Sequence, residues 1–154
     1  MKYYHSWEEL NNNVATICQQ MAVDDYKPDV ILGPGRGVYI MGVMLSHYFD
    51  VPFEGFNLSL RDHVIADFPA LTHILSKYNG KKILICDDLN DTGQTLTYID
   101  GVVTENDLTL APKYCTIYDK LSSNFGKKVD YTAKEVGYET DKHWIVFPYE
   151  EWWK

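Results

Sequence analysis

The stretch from residue 83 to residue 95 constrains the fold most, because it joins an apolar segment, an acidic turn and a helix start. Residues 83–86 are almost wholly apolar, which is typical of a strand buried on both faces of a parallel sheet. Asp87 and Asp88 follow directly. Two adjacent carboxylates would be costly inside a core, so we expect them to face a cleft where a metal, hydroxyls or water can satisfy them.

The second half of this stretch has the composition of a phosphate-binding turn. Asp91 is followed by Thr92, Gly93, Gln94 and Thr95. Gly93 allows a tight turn without a Cβ clash, and the neighbouring polar side chains lie beside the free N–H groups of a new helix. Such a helix start can hold a phosphate. Acids on one side and a phosphate cradle on the other indicate a sugar phosphate as the ligand.

The motif D-D-L-N-D-T-G-Q-T at residues 87–95 resembles the phosphoribosyl-diphosphate (PRPP) signature of the type I phosphoribosyltransferases. The resemblance implies that Asp87 and Asp88 hold the ribose hydroxyls of PRPP and a Mg²⁺ cofactor. It also implies that Asp91 is the catalytic base and that residues 92–95 bind the 5′-phosphate of PRPP. The alternative is a generic strand, turn and helix with a solvated acidic turn.

Length and composition predict one α/β domain over residues 1–154, since 45% of the residues are hydrophobic. No membrane span or secretory signal is apparent, so we expect a cytoplasmic protein. Cys18, Cys86 and Cys115 are odd in number and widely spaced, which favours buried reduced thiols. The net charge of −8 argues against a nucleic-acid partner.

A second glycine-rich turn follows the apolar residues 30–32 and precedes a helix predicted over residues 39–48. Its residues Gly35, Arg36 and Gly37 resemble the pyrophosphate-binding loop of the purine phosphoribosyltransferases. The resemblance implies a non-proline cis peptide bond between Gly35 and Arg36. Val38 departs from the family, in which a second glycine is common here. The alternative is a plain connection between a strand and a helix, with an exposed arginine.

The remaining elements are predicted from periodicity and from capping residues. Ser6 and Glu9 form a capping box that starts a helix over residues 6–21. Further helices are predicted over residues 70–77 and 92–104, and strands over residues 53–60, 114–118, 131–136 and 144–150. The long connection from residue 61 to residue 80 corresponds in the family to a mobile flap. We interpret His63 within it as an ordinary loop histidine.

Two further positions resemble the base-binding residues of 6-oxopurine phosphoribosyltransferases. Lys120 lies at the carboxyl end of the strand predicted over residues 114–118, where the family places a lysine that bonds the exocyclic oxygen of the purine. Trp144 and Ile145 match a closing strand that supplies an aromatic ring and backbone groups to the base. A solvated lysine and a tryptophan in the core or in a dimer interface are the alternatives.

Together these features predict an α/β fold with a mainly parallel twisted sheet flanked by helices. We expect a small hood from residues of about 1–5 and 130–154, and right-handed crossovers. The resemblance implies an enzyme that joins PRPP and hypoxanthine, guanine or xanthine, releases pyrophosphate, and forms a homo-oligomer, either a dimer or a tetramer. One alternative is a regulator that keeps the PRPP site as a ligand sensor. Another is an enzyme for adenine, orotate or uracil.

Overall fold

The computed structural model describes residues 1–60, 65–137 and 143–154 and contains a six-stranded sheet with helices packed on both faces. In chain order the elements are β1 (Lys2–Tyr4), α1 (Trp7–Val23), β2 (Val30–Gly35), α2 (Val38–Phe49), β3 (Phe53–Ser59), β4 (Ile65–Ala66), α3 (Phe68–Lys77), β5 (Ile83–Asn90), α4 (Gln94–Glu105), β6 (Lys113–Lys120), β7 (Tyr131–Val136) and β8 (Trp144–Val146).

The order of strands in the main sheet is β4-β3-β2-β5-β6-β7. Every neighbouring pair is parallel except β3 and β4, so the predicted mainly parallel sheet is confirmed. β5 lies between β2 and β6, and the three carboxyl ends therefore meet at one edge of the sheet. This arrangement brings the two glycine-rich turns and Lys120 to the same edge of the sheet.

Each face of the sheet carries its own apolar core. On one face α1 and α2 pack through side chains such as Ile17 and Leu45, and on the other face α3 and α4 pack through Leu75 and Ile99. All three cysteines are buried free thiols, as predicted. Among the described residues, no helix has both the length and the apolar character needed to cross a membrane.

The predicted capping box at the start of α1 is confirmed. The Ser6 Oγ accepts a hydrogen bond from the Glu9 backbone N–H at 3.0 Å, and the helix continues to Val23. The α2 helix ends before Asp50, also as predicted, and Asp50 adopts a left-handed conformation with φ of 54°. Local sequence signals therefore determine the ends of these helices.

The hood is smaller than the sequence predicts. β1 pairs in parallel with β8 and the His5 N–H donates to the Val146 carbonyl at 2.8 Å, which confirms that the two ends of the chain form a separate small sheet. Residues 131–136, assigned to the hood from the sequence, instead form β7 at the edge of the main sheet. The reason is that the buried Tyr131 side chain belongs to the main core.

Of two predictions about the central part of the chain, one needs correction and the other concerns a residue outside the described ranges. The strand predicted over residues 83–86 continues to Asn90, because the backbone at Asp87, Leu89 and Asn90 stays paired with β6. In the connection after β3, the structure describes β4 and α3, whereas His63 lies outside the described residues.

A buried histidine joins the hood to α1. The His5 side chain is only 2% exposed, and its Nε2 lies 2.9 Å from the Asn13 side-chain nitrogen. Its ring also makes edge contacts with Tyr118 and Phe147. Burial lowers the pKa of His5 from its usual value of 6.5, so the neutral imidazole is favoured in the folded protein.

We expect this histidine to make the fold less stable in mild acid. Because the pKa of His5 is lower in the folded chain than in the unfolded chain, its stabilising contribution is complete above about pH 6.5 and is lost as the pH falls. The nearby Glu9 opposes the pKa shift, and Lys134 reinforces it. Thermal unfolding between pH 7 and pH 5 should therefore depend on pH less steeply in His5→Gln than in the wild type. His47→Gln, at an exposed position of α2, provides the matched substitution control.

Candidate active site

The predicted site residues come from three segments at the carboxyl ends of β2, β5 and β6. Residues 35–37 form the end of β2 and the turn into α2, whereas residues 87–95 run from β5 into α4. Lys120 is the last residue of β6, as the sequence predicts. The parallel order of these strands places the segments side by side.

The turn after β2 has the predicted backbone geometry. The peptide bond between Gly35 and Arg36 is cis. Val38, which departs from the family pattern, is fully buried at the first position of α2. A Cβ on Gly33 would lie 2.6 Å from the Val38 Cγ1, so the valine side chain occupies space that the glycine leaves free. The departure from the family pattern at Val38 is thus accommodated by the core beneath the turn.

The two adjacent acids lie within β5 and are half-buried. The Asp88 N–H donates to the Asp87 Oδ1 at 2.9 Å, which holds the first carboxylate against the backbone. The Asp88 Oδ2 accepts a hydrogen bond from the Tyr149 hydroxyl at 3.2 Å and lies against Gly37, where any Cβ would overlap the carboxylate. Asp88 therefore contacts both the turn after β2 and the carboxyl-terminal segment.

Burial dominates the electrostatics around Asp88. It raises the pKa of the Asp88 carboxyl above its usual range, although side-chain hydrogen bonds with Asp87 and from the Tyr149 hydroxyl oppose the change. Burial next to Asp88 also raises the pKa of Tyr149, so the phenol remains a hydrogen-bond donor at neutral pH. A half-buried carboxylate of this kind is stabilised when a cation binds beside it.

The turn that the sequence predicts to bind phosphate precedes α4. Gly93 has a φ of 91° and occupies the N-cap position, so α4 begins at Gln94, two residues later than the sequence predicts. The Gln94 N–H donates to the Thr92 Oγ1 at 3.3 Å. An open pocket of about 430 Å³ lies here, lined by Thr92, Gly93, Gln94, Thr97 and Asn124. Thr95 is half-buried within the first turn of α4.

Two of these pocket residues were not found from the sequence. Thr97 lies one helical turn beyond Gly93. A polar residue at that spacing from the glycine is the sequence signal that could identify Thr97 as part of the pocket. Asn124 comes from the connection after β6, and its N–H donates to the Thr92 carbonyl at 2.8 Å. The sequence around Asn124 reads as an ordinary polar loop, so no local signal identifies it.

A buried amide holds this connection against the turn. The Asn90 side chain is 4% exposed, donates to the Asp119 Oδ1 at 2.8 Å and accepts from the Ser123 hydroxyl at 3.1 Å. The Ser123 Oγ in turn accepts from the Phe125 N–H at 3.1 Å. Because buried amides are costly unless satisfied, this chain of hydrogen bonds fixes residues 123–125 against Gly93.

Replacing Gly93 by alanine should destabilise the protein and weaken phosphate binding. An alanine at a φ of 91° costs about 1–2 kcal/mol. Its Cβ would also overlap the Phe125 backbone nitrogen and lie 2.6 Å from the Ser123 Oγ. Thermal unfolding and PRPP titration would measure both effects.

Gly101→Ala provides the matched control for this substitution. Gly101 lies within α4, and a Cβ there would meet no described atom within 4 Å. Alanine favours a helix interior by roughly 0.8–1 kcal/mol over glycine, so this variant should be slightly more stable than the wild type. If Gly93→Ala also leaves both stability and PRPP affinity unchanged, the turn does not require glycine.

The structure brings Lys120 and Asp91 into direct contact. The Lys120 Nζ lies 2.9 Å from the Asp91 Oδ1, and the exposed fractions of the two side chains are 9% and 26%. The contact places a charged donor and a charged acceptor side by side next to the turn that precedes α4. Such a pair can recognise a ligand edge on which an acceptor and a donor are neighbours.

The other two predicted base-binding residues lie on β8 in the hood. The Trp144 side chain is 51% exposed, and its backbone N–H donates to the Met1 carbonyl at 2.9 Å. Ile145 is buried and borders a cavity of about 210 Å³ between the hood and β6 and β7, lined by Tyr3, Tyr118, Lys134, Glu135, Val136, His143 and Ile145. The half-exposed indole ring is therefore accessible to a stacking ligand.

Comparison with known proteins agrees with this arrangement. The sequence matches the family described as phosphoribosyl transferase domain over residues 4–152. A xanthine-guanine phosphoribosyltransferase of Idiomarina loihiensis is 24% identical over 153 residues, covering 97% of this chain and 87% of the relative. A hypoxanthine-guanine phosphoribosyltransferase of Schizosaccharomyces pombe is 26% identical over 122 residues, covering 64% of this chain and 57% of the relative.

A comparison with solved structures also finds a phosphoribosyltransferase. The crystal structure of a purine phosphoribosyltransferase from Pyrococcus horikoshii is similar to this chain, with a TM-score of 0.73 and 26% identity. The alignment covers 97% of this chain and 95% of the other.

Proposed function

Because the chain belongs to the phosphoribosyltransferase family, we propose that it joins PRPP and a 6-oxopurine base to give a nucleoside 5′-monophosphate and pyrophosphate. The base would be hypoxanthine, guanine or xanthine. The observation that carries this choice is the contact of Lys120 with Asp91, which belongs to the PRPP motif. The printed names of the xanthine-guanine and hypoxanthine-guanine relatives support it.

The contact between Lys120 and Asp91 suits one edge of a 6-oxopurine. O6 accepts hydrogen bonds, and the neighbouring N7 carries a hydrogen in one tautomer, so this edge offers an acceptor beside a donor. The Lys120 ammonium would donate to O6, and the Asp91 carboxylate would accept from N7–H. Adenine has an amino group in place of O6, which would set donor against donor. Trp144 would stack on the purine ring, and the Ile145 backbone would bond its far edge.

The same residues account for the transfer step. N9 of the purine forms a bond to C1′ of PRPP, while the bond between C1′ and the pyrophosphate oxygen breaks. Positive charge develops on the ribose as in glycoside hydrolysis, and the leaving pyrophosphate gains negative charge. The proton on N7 passes to the Asp91 carboxylate, so Asp91 acts as the general base. Arg36, between Gly35 and Gly37, would hold the pyrophosphate.

The acidic pair fits Mg²⁺ as the cofactor. Among the described residues, no group of three or more His, Cys, Asp or Glu side chains could hold a metal on its own. Mg²⁺ commonly binds through one or two carboxylates, with substrate oxygens and water completing the octahedron. Asp87 and Asp88 provide such a partial ligand set, and Asp88 is a half-buried carboxylate that a cation would stabilise. Bound Mg²⁺ would neutralise charge on the leaving pyrophosphate.

Turnover should therefore depend on a divalent metal. In a pyrophosphate-release assay with PRPP and hypoxanthine, excess chelator should abolish the reaction and added Mg²⁺ should restore it. Full turnover in chelator would contradict the proposed role of Asp87 and Asp88.

The expected homo-oligomer also stays a prediction, which light scattering of the purified protein would test.

A further inference from the structure

The turn that follows β8 is held in place from several directions. The Glu150 N–H donates to the Phe147 carbonyl at 3.0 Å, and the Glu150 carboxylate accepts from the Phe147 N–H at 2.6 Å. Phe147 itself is buried and packs edge-on against the buried His5. These contacts anchor residues 147–150 to the hood.

Tyr149 projects from this turn in a fixed orientation. Its ring stacks on Phe147 with an interplanar angle of 2° and a centroid separation of 5.6 Å. A tilted contact with Trp7 at 6.4 Å covers it from α1. Because both neighbours belong to packed elements, the position of the phenol hydroxyl is set before any ligand binds.

The hydroxyl of Tyr149 meets Asp88 opposite the turn after β2. It donates to the Asp88 Oδ2 at 3.2 Å, and the same oxygen lies against Gly37. Asp88 is thereby confined between the hood and the turn that carries Arg36. A carboxylate that must bind a metal and ribose hydroxyls works best when its orientation is fixed beforehand.

We propose that Tyr149 is a positioning residue for Asp88, and that its hydroxyl holds the carboxylate in the orientation that binds the metal and PRPP. The inference rests on the proposed function, because it assigns Tyr149 a part in the same site. It also gives the carboxyl-terminal turn a role: through Tyr149, the hood that carries Trp144 is linked directly to the PRPP motif.

A competing interpretation predicts the opposite effect. If Tyr149 were a latch that occupies Asp88 only until PRPP arrives, losing its hydroxyl would free the carboxylate and tighten binding. The stacking of the ring on the buried Phe147 favours positioning over a latch. The direction of the change in PRPP affinity therefore distinguishes the two.

Tyr149→Phe is the most selective test, because it removes the hydroxyl and keeps the stacked ring. Calorimetric titration of PRPP at saturating Mg²⁺ should show affinity weakened about tenfold, as expected when a carboxylate loses a hydrogen bond. The concentration of Mn²⁺ needed to half-saturate the PRPP complex, followed by electron paramagnetic resonance, should rise. The KM for hypoxanthine should stay unchanged, since the substitution leaves Lys120 and Asp91 in place.

Tyr48→Phe is the matched control, because Tyr48 is 63% exposed on α2 and should leave PRPP affinity at the wild-type value. Equal or tighter PRPP binding by Tyr149→Phe would overturn the positioning role while leaving the proposed function intact. An equal loss of affinity for PRPP and for hypoxanthine would also overturn it, because the hydroxyl would then support the site as a whole. A wild-type protein that binds no PRPP would overturn both proposals.

Discussion

Replacing Asp91 by asparagine is expected to lower kcat by roughly 10²- to 10⁴-fold while preserving the fold and PRPP binding. The amide has nearly the same shape as the carboxylate and can still accept a hydrogen bond from Lys120, 2.9 Å away in the wild type. It cannot accept the proton that leaves N7 of the purine. Steady-state kinetics with hypoxanthine, together with calorimetric titration of PRPP, would separate the loss of turnover from any loss of binding.

Asp107→Asn is a suitable control for this variant. Asp107 is exposed beyond the end of α4, and its φ of 48° is a conformation that asparagine tolerates well. Its kcat should equal that of the wild type. If Asp91→Asn stays within about threefold of the wild type, well below a general-base contribution, another group takes the proton or the base ionises before it binds.

The second large effect is expected at Lys120, which we predict to set the preference for 6-oxopurines. Lys120→Met keeps the length of the side chain and removes the charged donor, so kcat/KM for hypoxanthine and guanine should fall sharply. The kcat/KM for adenine should fall little, because adenine gains nothing from a donor at that position. Sites built on a polar match reject the wrong analogue by about 10⁴- to 10⁵-fold, so the gap between hypoxanthine and adenine should narrow by orders of magnitude.

The ion pair of Lys127 with Asp100 offers a control at the same distance between the two charges. Its Nζ to Oδ1 distance is also 2.9 Å, but the Lys127 side chain is 56% exposed. Exposed pairs contribute little, so Lys127→Met should leave both activity and the ranking of bases unchanged. If Lys120→Met leaves the ranking of bases unchanged, Lys120 does not read O6.

The sequence predicts those parts of the site that depend on local rules. The buried strand, the two acids and the glycine turn are contiguous in residues 83–95, so composition and spacing are sufficient to identify them. The β-rich run before Lys120 predicts that this residue lies at the end of a strand, and the structure ends β6 there. Ser6 predicted the start of α1 for the same reason, since a cap depends on neighbours within one turn.

What the sequence could not predict depends on contacts between distant residues. The Tyr149 hydroxyl reaches Asp88 across 61 positions of sequence, and no local pattern encodes that distance. Asn124 borders the pocket at the start of α4 because the buried Asn90 and the hydrogen bond from the Asn124 N–H to the Thr92 carbonyl hold the connection after β6 in place. β7 pairs with β6 in the main sheet rather than with the hood because the Tyr131 side chain is buried in the main core. Hydrophobic periodicity does not reveal which strand β7 pairs with.

The central claim is that the contact between Lys120 and Asp91 selects a 6-oxopurine for transfer to PRPP. The most direct measurement is kcat/KM for a panel of free bases with PRPP and Mg²⁺, read by pyrophosphate release. We predict that hypoxanthine, guanine or xanthine exceeds adenine, orotate and uracil by several orders of magnitude. A wild-type enzyme that uses adenine, orotate or uracil better than any 6-oxopurine would contradict the account.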